Sequence, residues 1–448
     1  MIGVDRTRAI FEGAYKQAGG QDDVQLMLHG GKEQLARIGK NEVYQNILNK
    51  EYTIRGMVAQ GNRVGLSSCN RFDENSVQNV VKVASDIASI QKEDPDYRGL
   101  YADSETIVDD RFYHQPTMDA AFDTKLNELQ GIFADSRSKN VEVAGAFSHG
   151  DGIYAIGNSK GLFRYHIHTD ASFTLSIMTP AGGTGWSEFH SHRLEDIQPS
   201  ILYRIALEKA LASENPVAIE PGEFTVILEP PAVQSLMFWL GYLGFGGLPC
   251  QEGRSFLSGK EGEKVFGDNI SLEDNHNDIQ SYGCPFDSEG MRKQSLTLVE
   301  NGVFIQPTLD RNVSIKRGGD RLSTGHALPY PSSAGPLPLN MSMKAGNKSL
   351  EDMVQSTQKG ILVTRFFYDN VIDPQKLTIT GMTRDGTFLV ENGKIVKGLK
   401  NMRYNISLPH ILNQVREISS QKWSLREFGR MSLPALKIDG FRFTGSST

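Results

Sequence analysis

The stretch PPAVQSLMFWLGYLGFGGLPC, Pro230 to Cys250, contains no charged side chain. Its reading decides whether the chain crosses a membrane or folds around a buried helix. A spanning helix needs roughly 20 predominantly apolar residues to cross a hydrocarbon core of ~30 Å. Here Pro230 and Pro231 open the segment, Pro249 closes it, and Gly241, Gly244, Gly246 and Gly247 crowd its second half. A helix from Pro231 to Gly244 reaches only about 21 Å at ~1.5 Å per residue. Proline in the first turn, with Val233, Leu236, Met237 and Leu240 at i, i+3, i+4 and i+7, predicts a short buried helix instead. No membrane span is expected.

Working outward, the 448 residues suffice for two or three domains with a substantial core. A net charge of −6 gives no electrostatic reason to expect nucleic-acid binding. Cys69, Cys250 and Cys284 are too few and too scattered for a disulfide framework. The opening residues MIGVDRTRAIFEGAYKQAGG carry charge from Asp5 onward and read as an amphipathic helix, not a signal peptide, so a cytoplasmic location is expected.

The first half mixes helices and strands. Helices are predicted over Val4 to Ala18, Asp73 to Glu93, about Asp123 to Ser138, and about Leu194 to Ser213. The second is the clearest: Asp73 is placed to cap it, and Val77, Val80, Val81, Ala84, Ile87 and Ala88 form its apolar stripe. Strands are expected at DVQLMLHG, in a hairpin over Tyr52 to Asn70 turning at Gln60-Gly61-Asn62, and at VEVAGAFSH, GIYAIGNSKG and LFRYHIHTDASFTLSIM. A boundary falls in ASENPVAIEPGE. Beyond it come FTVILE, SLTLVENGVFIQ, GILVTRFFYD and KLTITGMTRDGTFLVENGKIVKG. ENGVF and ENGKI place Asn-Gly between apolar runs, a strong hairpin signal. The fold class is α+β: an N-terminal α/β domain over residues 1–215, then a β-rich α+β domain over 216–448. HALPYPSSAGPLPLN, His326 to Asn340, reads as a loop with polyproline character.

Several residue groups invite a chemical reading. His166 and His168 lie two apart on a strand and share a face, as do His190 and His192. Four imidazoles meeting at one point would hold zinc; solvent-facing strand histidines are the simpler expectation. Cys250 and Cys284 are potential nucleophiles if a histidine lies beside them, or else small buried thiols. GRSFLSGKEGEKVFG, Gly253 to Gly267, lacks the phosphate-loop pattern and reads as a long exposed loop. GGTGW, Gly182 to Trp186, reads as a turn. Asp287 and Glu289 in CPFDSEG fit a paired-acid role or an Asx-type turn.

RVGLSSCNRFDENSVQNVVKVA, GNSKGLFRYHIHTDASF, GRSFLSGKEGEKVFGDNISLEDN, PFDSEGMRKQSLTLVENG, STGHALP and ENGKIVKGLKNMRYNISL follow one another as in the TldD/TldE (PmbA) peptidase family, which the chain resembles over nearly its whole length. The resemblance implies a dimer around an enclosed cleft. Catalytic members of the TldD type are zinc peptidases with an HExxxH motif on a helix and a later cysteine ligand. The TldE type lacks the motif and serves as partner. Aligned on PAVQSLMFWLG, the motif positions fall on Leu236, Met237 and Gly241, and no histidine, aspartate or glutamate occurs anywhere from Pro230 to Cys250. PFDSEG and STGHA are also similar to the TldE type. The resemblance thus implies a zinc-free subunit without catalytic residues of its own. It would position peptide substrates for a TldD-type catalytic partner that carries the zinc, as a heterodimer, or pair with itself as a homodimer. Arg254, Phe256, Ser258, Asp287 and His326 are the candidate peptide-binding residues by motif position. Two other readings stay open: an independent metal hydrolase using His166, His168, His190 and His192, and a non-enzymatic homodimeric peptide-binding or regulatory module.

Overall fold

Asp73 does cap its helix. Its carboxylate accepts from the Ser76 amide at 3.0 Å and the Ser76 hydroxyl at 2.7 Å, satisfying an amide that the helix itself leaves unpaired. The helix runs Glu74–Ile90 and buries Val77, Val80, Val81, Ala84 and Ala88. It belongs to a computed structural model that describes residues 2–17, 22–318, 323–427 and 429–446.

The first half holds helices α1 (Val4–Gln17), α2 (Glu74–Ile90), α3 (Gln115–Asp119), α4 (Phe122–Ser138) and α5 (Pro199–Ala212). Ala18, the expected end of α1, lies outside the described residues. The strands are β1 (Asp23–Gly39), β2 (Glu42–Gln60), β3 (Arg63–Cys69), β4 (Thr106–Phe112), β5 (Glu142–Asn158), β6 (Phe163–Met178) and β7 (Thr184–Ser191). They form a seven-stranded sheet in the order β3-β2-β1-β5-β6-β4, with β7 also on β6. Among the described residues only β4 and β6 run parallel in this sheet. α1 and α2 pack on one end of the long strands, through Phe11 and Val80 against Leu26 and Ile153. α4 and α5 pack on the other end, through Phe133 and Ala206 against Phe147 and Phe173. The β5 residues serving these clusters, Val143, Phe147, Ile153 and Ala155, are all odd-numbered, so both helix pairs lie on one face of the sheet. Close approach needs glycine at two points. A Cβ on Gly65 would lie 1.9 Å from the Ala84 carbonyl of α2, and one on Gly185 1.9 Å from the Ala206 carbonyl of α5.

The second half holds β8 (Gly222–Leu228), β9 (Leu272–Asp274), β10 (Leu296–Glu300), β11 (Val303–Phe304), β12 (Met341–Met343), β13 (Lys359–Asp373), β14 (Thr378–Glu391), β15 (Lys394–Gly398), β16 (Met402–Ser407), β17 (Val415–Arg426) and β18 (Arg430–Ser446). Its helices are α6 (Pro230–Trp239), α7 (Gly247–Gln251), α8 (Arg311–Lys316), α9 (Leu350–Gln355) and α10 (Leu408–Leu412). The strands make an eleven-stranded sheet, in which β18, β16, β14, β13 and β8 pair in turn and β8 returns to β18. One side of this circuit, with Val226, Ile361 and Phe441, buries α6. The other side, with Ile227, Leu362 and Phe388, is covered by α9 through Met353. The α+β class holds, with two sheet-rich domains. No helix among the described residues is long and apolar enough to cross a membrane.

Both Asn-Gly turns form as read, with positive φ at Asn301 and Gly302 (48° and 81°) and at Asn392 and Gly393 (50° and 75°). Other expectations need correction. The helix expected over Leu194 to Ser213 is a short 3-10 turn, Leu194–Asp196, followed by α5, which starts at Pro199. VEVAGAFSH and GIYAIGNSKG are one strand, β5. β1 and β2 run far beyond their expected ends: residues 31 to 51 complete a long hairpin that turns at Lys40-Asn41, with φ of 53° and 60°. Its polar sequence carries no clear alternation. Pairing of β1 with β5, Gly31 to Ile38 against Gly152 to Gly145, sets its register.

Candidate functional site

Helix α6 has Pro230 and Pro231 in its first turn and passes into one wider π turn, Leu240–Gly244. Leu236, Met237 and Leu240 are completely buried in the main core. Gly241 is buried too, and a Cβ there would lie 2.9 Å from the Met341 methyl and 3.5 Å from Pro338. The proline-rich loop thus covers this helix with Leu337 and Pro338 beside Gly241, next to Met341 of β12 and Met431 of β18. At the motif positions the donors are an isobutyl group, a thioether and nothing. A catalytic zinc needs three nitrogen, sulfur or oxygen ligands with room for a water. Leu236, Met237 and Gly241 do not fit it, in chemistry or in space.

The five candidate peptide-binding residues separate into two groups. Arg254 is exposed and paired with Glu252. Phe256 is half-buried, 6.0 Å from the Phe266 ring, and beside Gly244 at the end of the π turn. The Ser258 hydroxyl is buried without a hydrogen-bond partner among the described residues. The loop read as long and exposed is partly anchored: Leu257 and Phe266 are completely buried, because the loop folds back on the π turn, where Ser255 Oγ donates to the Gly244 carbonyl at 2.8 Å.

Asp287 and His326 come together elsewhere. Asp287 is 4% exposed. Its Oδ1 accepts from the Glu289 and Met291 amides (2.9 and 3.0 Å), and its Oδ2 from the Ala327 amide at 3.0 Å. It forms the Asx-type turn read as one alternative and ties that turn to the loop after His326. Burial raises the Asp287 carboxyl despite these amides. Burial, then the charge of Asp287, pushes Glu289 up to about 8. The His326 ring accepts or donates at Nδ1 to Thr324 Oγ1 (2.9 Å). Its Nε2 lies 3.3 Å from Asp274 Oδ1, out of hydrogen-bond alignment. Burial alone would raise Asp274, but His326, Lys293 and the Asn340 amide together outweigh it and hold the carboxyl at about 2. His276 is brought down to about 4 by burial, then by Lys293 and Arg111.

The four histidines read as strand pairs all fall on one face of the first sheet. His166 and His168 have the same parity as Ser172, which pairs with His190, and residues directly opposite share a face. The expectation of solvent-facing side chains is wrong: His166, His190 and His192 are 2%, 7% and 8% exposed. This face lies against the second domain. Tyr282 donates to Asp170 Oδ1 at 2.6 Å, and Arg426 and Arg430 reach the same carboxylate at 2.7 and 3.2 Å. Burial pushes Asp170 up, but the two guanidiniums and Tyr282 prevail and hold it well below the usual carboxylate range. The histidines do not converge. His166 Nδ1 is bound to Asp109 at 2.7 Å, His168 stacks on His166 at 5.3 Å, and His190 contacts Glu188 at 3.4 Å. About 13 Å of strand, four residues at ~3.3 Å, separates His168 from the position opposite His190. Burial, then His166 and Arg430, brings His168 down to about 3. Among the described residues no three His, Cys, Asp or Glu side chains are arranged to hold a metal ion.

The cysteines fare similarly as nucleophiles. Burial raises the Cys250 thiol to about 11 and the Cys284 thiol to about 12, far from the thiolate that attack requires. Gly182 of GGTGW has a φ of +78° and turns the chain between β6 and β7 as read. Sequence reasoning missed Asp274 and His276 beside His326, and the Asp170, Tyr282, Arg426 and Arg430 cluster. Their members lie on separate elements, and no local spacing announces them.

Comparison with known proteins agrees with this architecture. Residues 221–445 match the PmbA/TldA metallopeptidase C-terminal domain, and residues 116–214 match the central domain of the same family. The chain is 26% identical to the metalloprotease PmbA homolog of Haemophilus influenzae, over 88% of each chain. It is 24% identical to the metalloprotease PmbA of Escherichia coli O157:H7, over 98% of each. Its fold superposes on the crystal structure of TldE from Thermococcus kodakarensis with a TM-score of 0.89, covering 98% of this chain and 100% of that one at 19% identity.

Proposed function

The chain belongs to the PmbA/TldA metallopeptidase family, and from that premise we propose that it is a zinc-free, TldE-type subunit that holds peptides for a TldD-type catalytic partner. One observation carries this reading: the helix that would bear the zinc motif is retained as packing. Leu236 and Met237 are completely buried, and Gly241 leaves only enough space for Met341 and Pro338. A peptidase site at that helix would need ligands and a water where the core now closes. The fold it shares with TldE from Thermococcus kodakarensis is consistent with the same assignment.

Of the candidate peptide-binding residues, Arg254 is the one whose side chain is exposed for direct contact. Asp287 and His326, in the other group, are tied into their own loops by internal hydrogen bonds. Domains over 1–215 and 216–448, a cytoplasmic location, and the absence of nucleic-acid and membrane partners complete the proposal. Mixing the purified chain with a TldD-type chain tests it. The proposal expects a heteromeric complex on size exclusion and peptide cleavage that depends on the mixture. A chain that remains a homodimer and leaves cleavage unchanged sinks the proposal in favour of an independent peptide-binding module.

A further inference from the structure

A cavity of about 430 Å³ opens between the two sheets, away from the lid over α6. Its walls include Trp186 of β7, Trp423 of β17, Leu362 and Phe388, and the last two belong to the side of the second sheet opposite α6. One ion pair sits in this mostly apolar wall. Lys209 of α5 donates to Glu229, the residue before α6, and their side chains are only 17% and 8% exposed. Glu208 and Glu351 also line the cavity; both are exposed and lie toward its rim.

A buried pair of this kind selects its ligand by charge. A ligand with one charge that inserts between Lys209 and Glu229 re-pairs one of them and strands the other, which is strongly unfavourable in a dry wall. A ligand with no charge leaves the pair untouched and gains nothing from it. A zwitterion re-pairs both: its carboxylate meets the Lys209 ammonium and its ammonium meets the Glu229 carboxylate. The volume lies at the lower end of the ~300–1,000 Å³ range of small-molecule sites, which suits one amino acid better than an extended peptide. The two lining tryptophans and the apolar floor favour an aromatic or large aliphatic side chain.

We infer that this cavity is a binding site for a free α-amino acid with a large apolar side chain, held as the zwitterion between Lys209 and Glu229. The site is separate from the α6 lid and stands whether or not the chain partners a catalytic subunit. Both charged residues bridge the domains, so occupancy couples to how the two sheets sit against each other.

Calorimetry on the full-length chain tests the inference with L-phenylalanine, phenethylamine and 3-phenylpropionate. L-Phenylalanine is expected to bind saturably at one site per chain, with each single-charge analogue at least about tenfold weaker, a difference of ~1.4 kcal/mol. Lys209→Met abolishes binding. Should that variant fold poorly, Ala212→Trp serves instead. Ala212 lines the cavity at the exposed end of α5, so tryptophan there fills the space and leaves the ion pair in place. Absence of saturable L-phenylalanine binding, equal affinity for either analogue, or undiminished binding to the folded Ala212→Trp chain overturns the inference and leaves Lys209–Glu229 as a structural bridge.

Discussion

Replacing Leu236 with histidine puts an imidazole at the first motif position and asks whether α6 is packing or a dormant metal helix. Leu236 is completely buried in the core with Val233, Leu240 and Met341. Losing a fully buried leucine forfeits about 1.5–3 kcal/mol of apolar burial. A buried imidazole without a partner costs roughly a further 1–3 kcal/mol. The sum, about 3–6 kcal/mol, is a large share of the ~5–15 kcal/mol that keeps a typical domain folded. At ~2–4 °C per kcal/mol for a domain of this size, the transition of the second domain falls by roughly 6–24 °C. Thermal unfolding by calorimetry, with and without added zinc, reads the outcome. A ligand at a hundredfold excess over its Kd returns ~2.7 kcal/mol. A single imidazole among the apolar side chains of this core offers zinc no such site, so the metal is expected to make no difference. Wild-type stability in Leu236→His, or a clear gain of stability with zinc, refutes the account of α6 as a packing helix.

Three further outcomes follow from the site geometry. Asp287→Ala leaves the buried amides of Met291 and Ala327 and the part-buried amide of Glu289 without their acceptor; at ~1–3 kcal/mol for each buried orphan, urea unfolding should show a loss of at least about 2 kcal/mol. Glu289 keeps its proton up to about pH 8 in the fold, whereas the unfolded chain releases it near 4.5. Its contribution is therefore most favourable below pH 4.5 and is lost as pH rises through 8. Glu289→Gln should gain stability relative to the wild type between pH 5 and pH 8, and parallel pH profiles contradict the burial of that acid. Tyr282→Phe removes one hydrogen bond to the Asp170 carboxylate but leaves Arg426 and Arg430 in place. It should cost about 1.5–3 kcal/mol, and a neutral result means the cluster does not hold the domains together.

The parts of this fold legible in the sequence are those with a period or a turn chemistry. Val77, Val80, Val81, Ala84 and Ala88 announce α2, Asp73 its start, and Asn301-Gly302 and Asn392-Gly393 two hairpins. The prolines and glycines around Leu236 separate a buried helix from a membrane span. Residues 31–51 escaped because their register comes from pairing with β5, not from their own alternation. The strand histidines show the sharper limit. Spacing correctly puts His166 with His168 and His190 with His192 on common faces, but alternation says nothing about what covers a face. Tyr282, Arg426 and Arg430 cover this one from distant parts of the chain. The pair Lys209 and Glu229 was equally invisible, since a helix end and a strand end meet there only in the folded chain.

Zinc stoichiometry of the purified full-length chain tests the central claim most directly. Measured by elemental analysis after dialysis against buffer with trace zinc, alongside peptide cleavage by the same sample, the account predicts far less than one zinc per chain and no cleavage without a TldD-type partner. One tightly held zinc per chain, with cleavage by the chain alone, contradicts it.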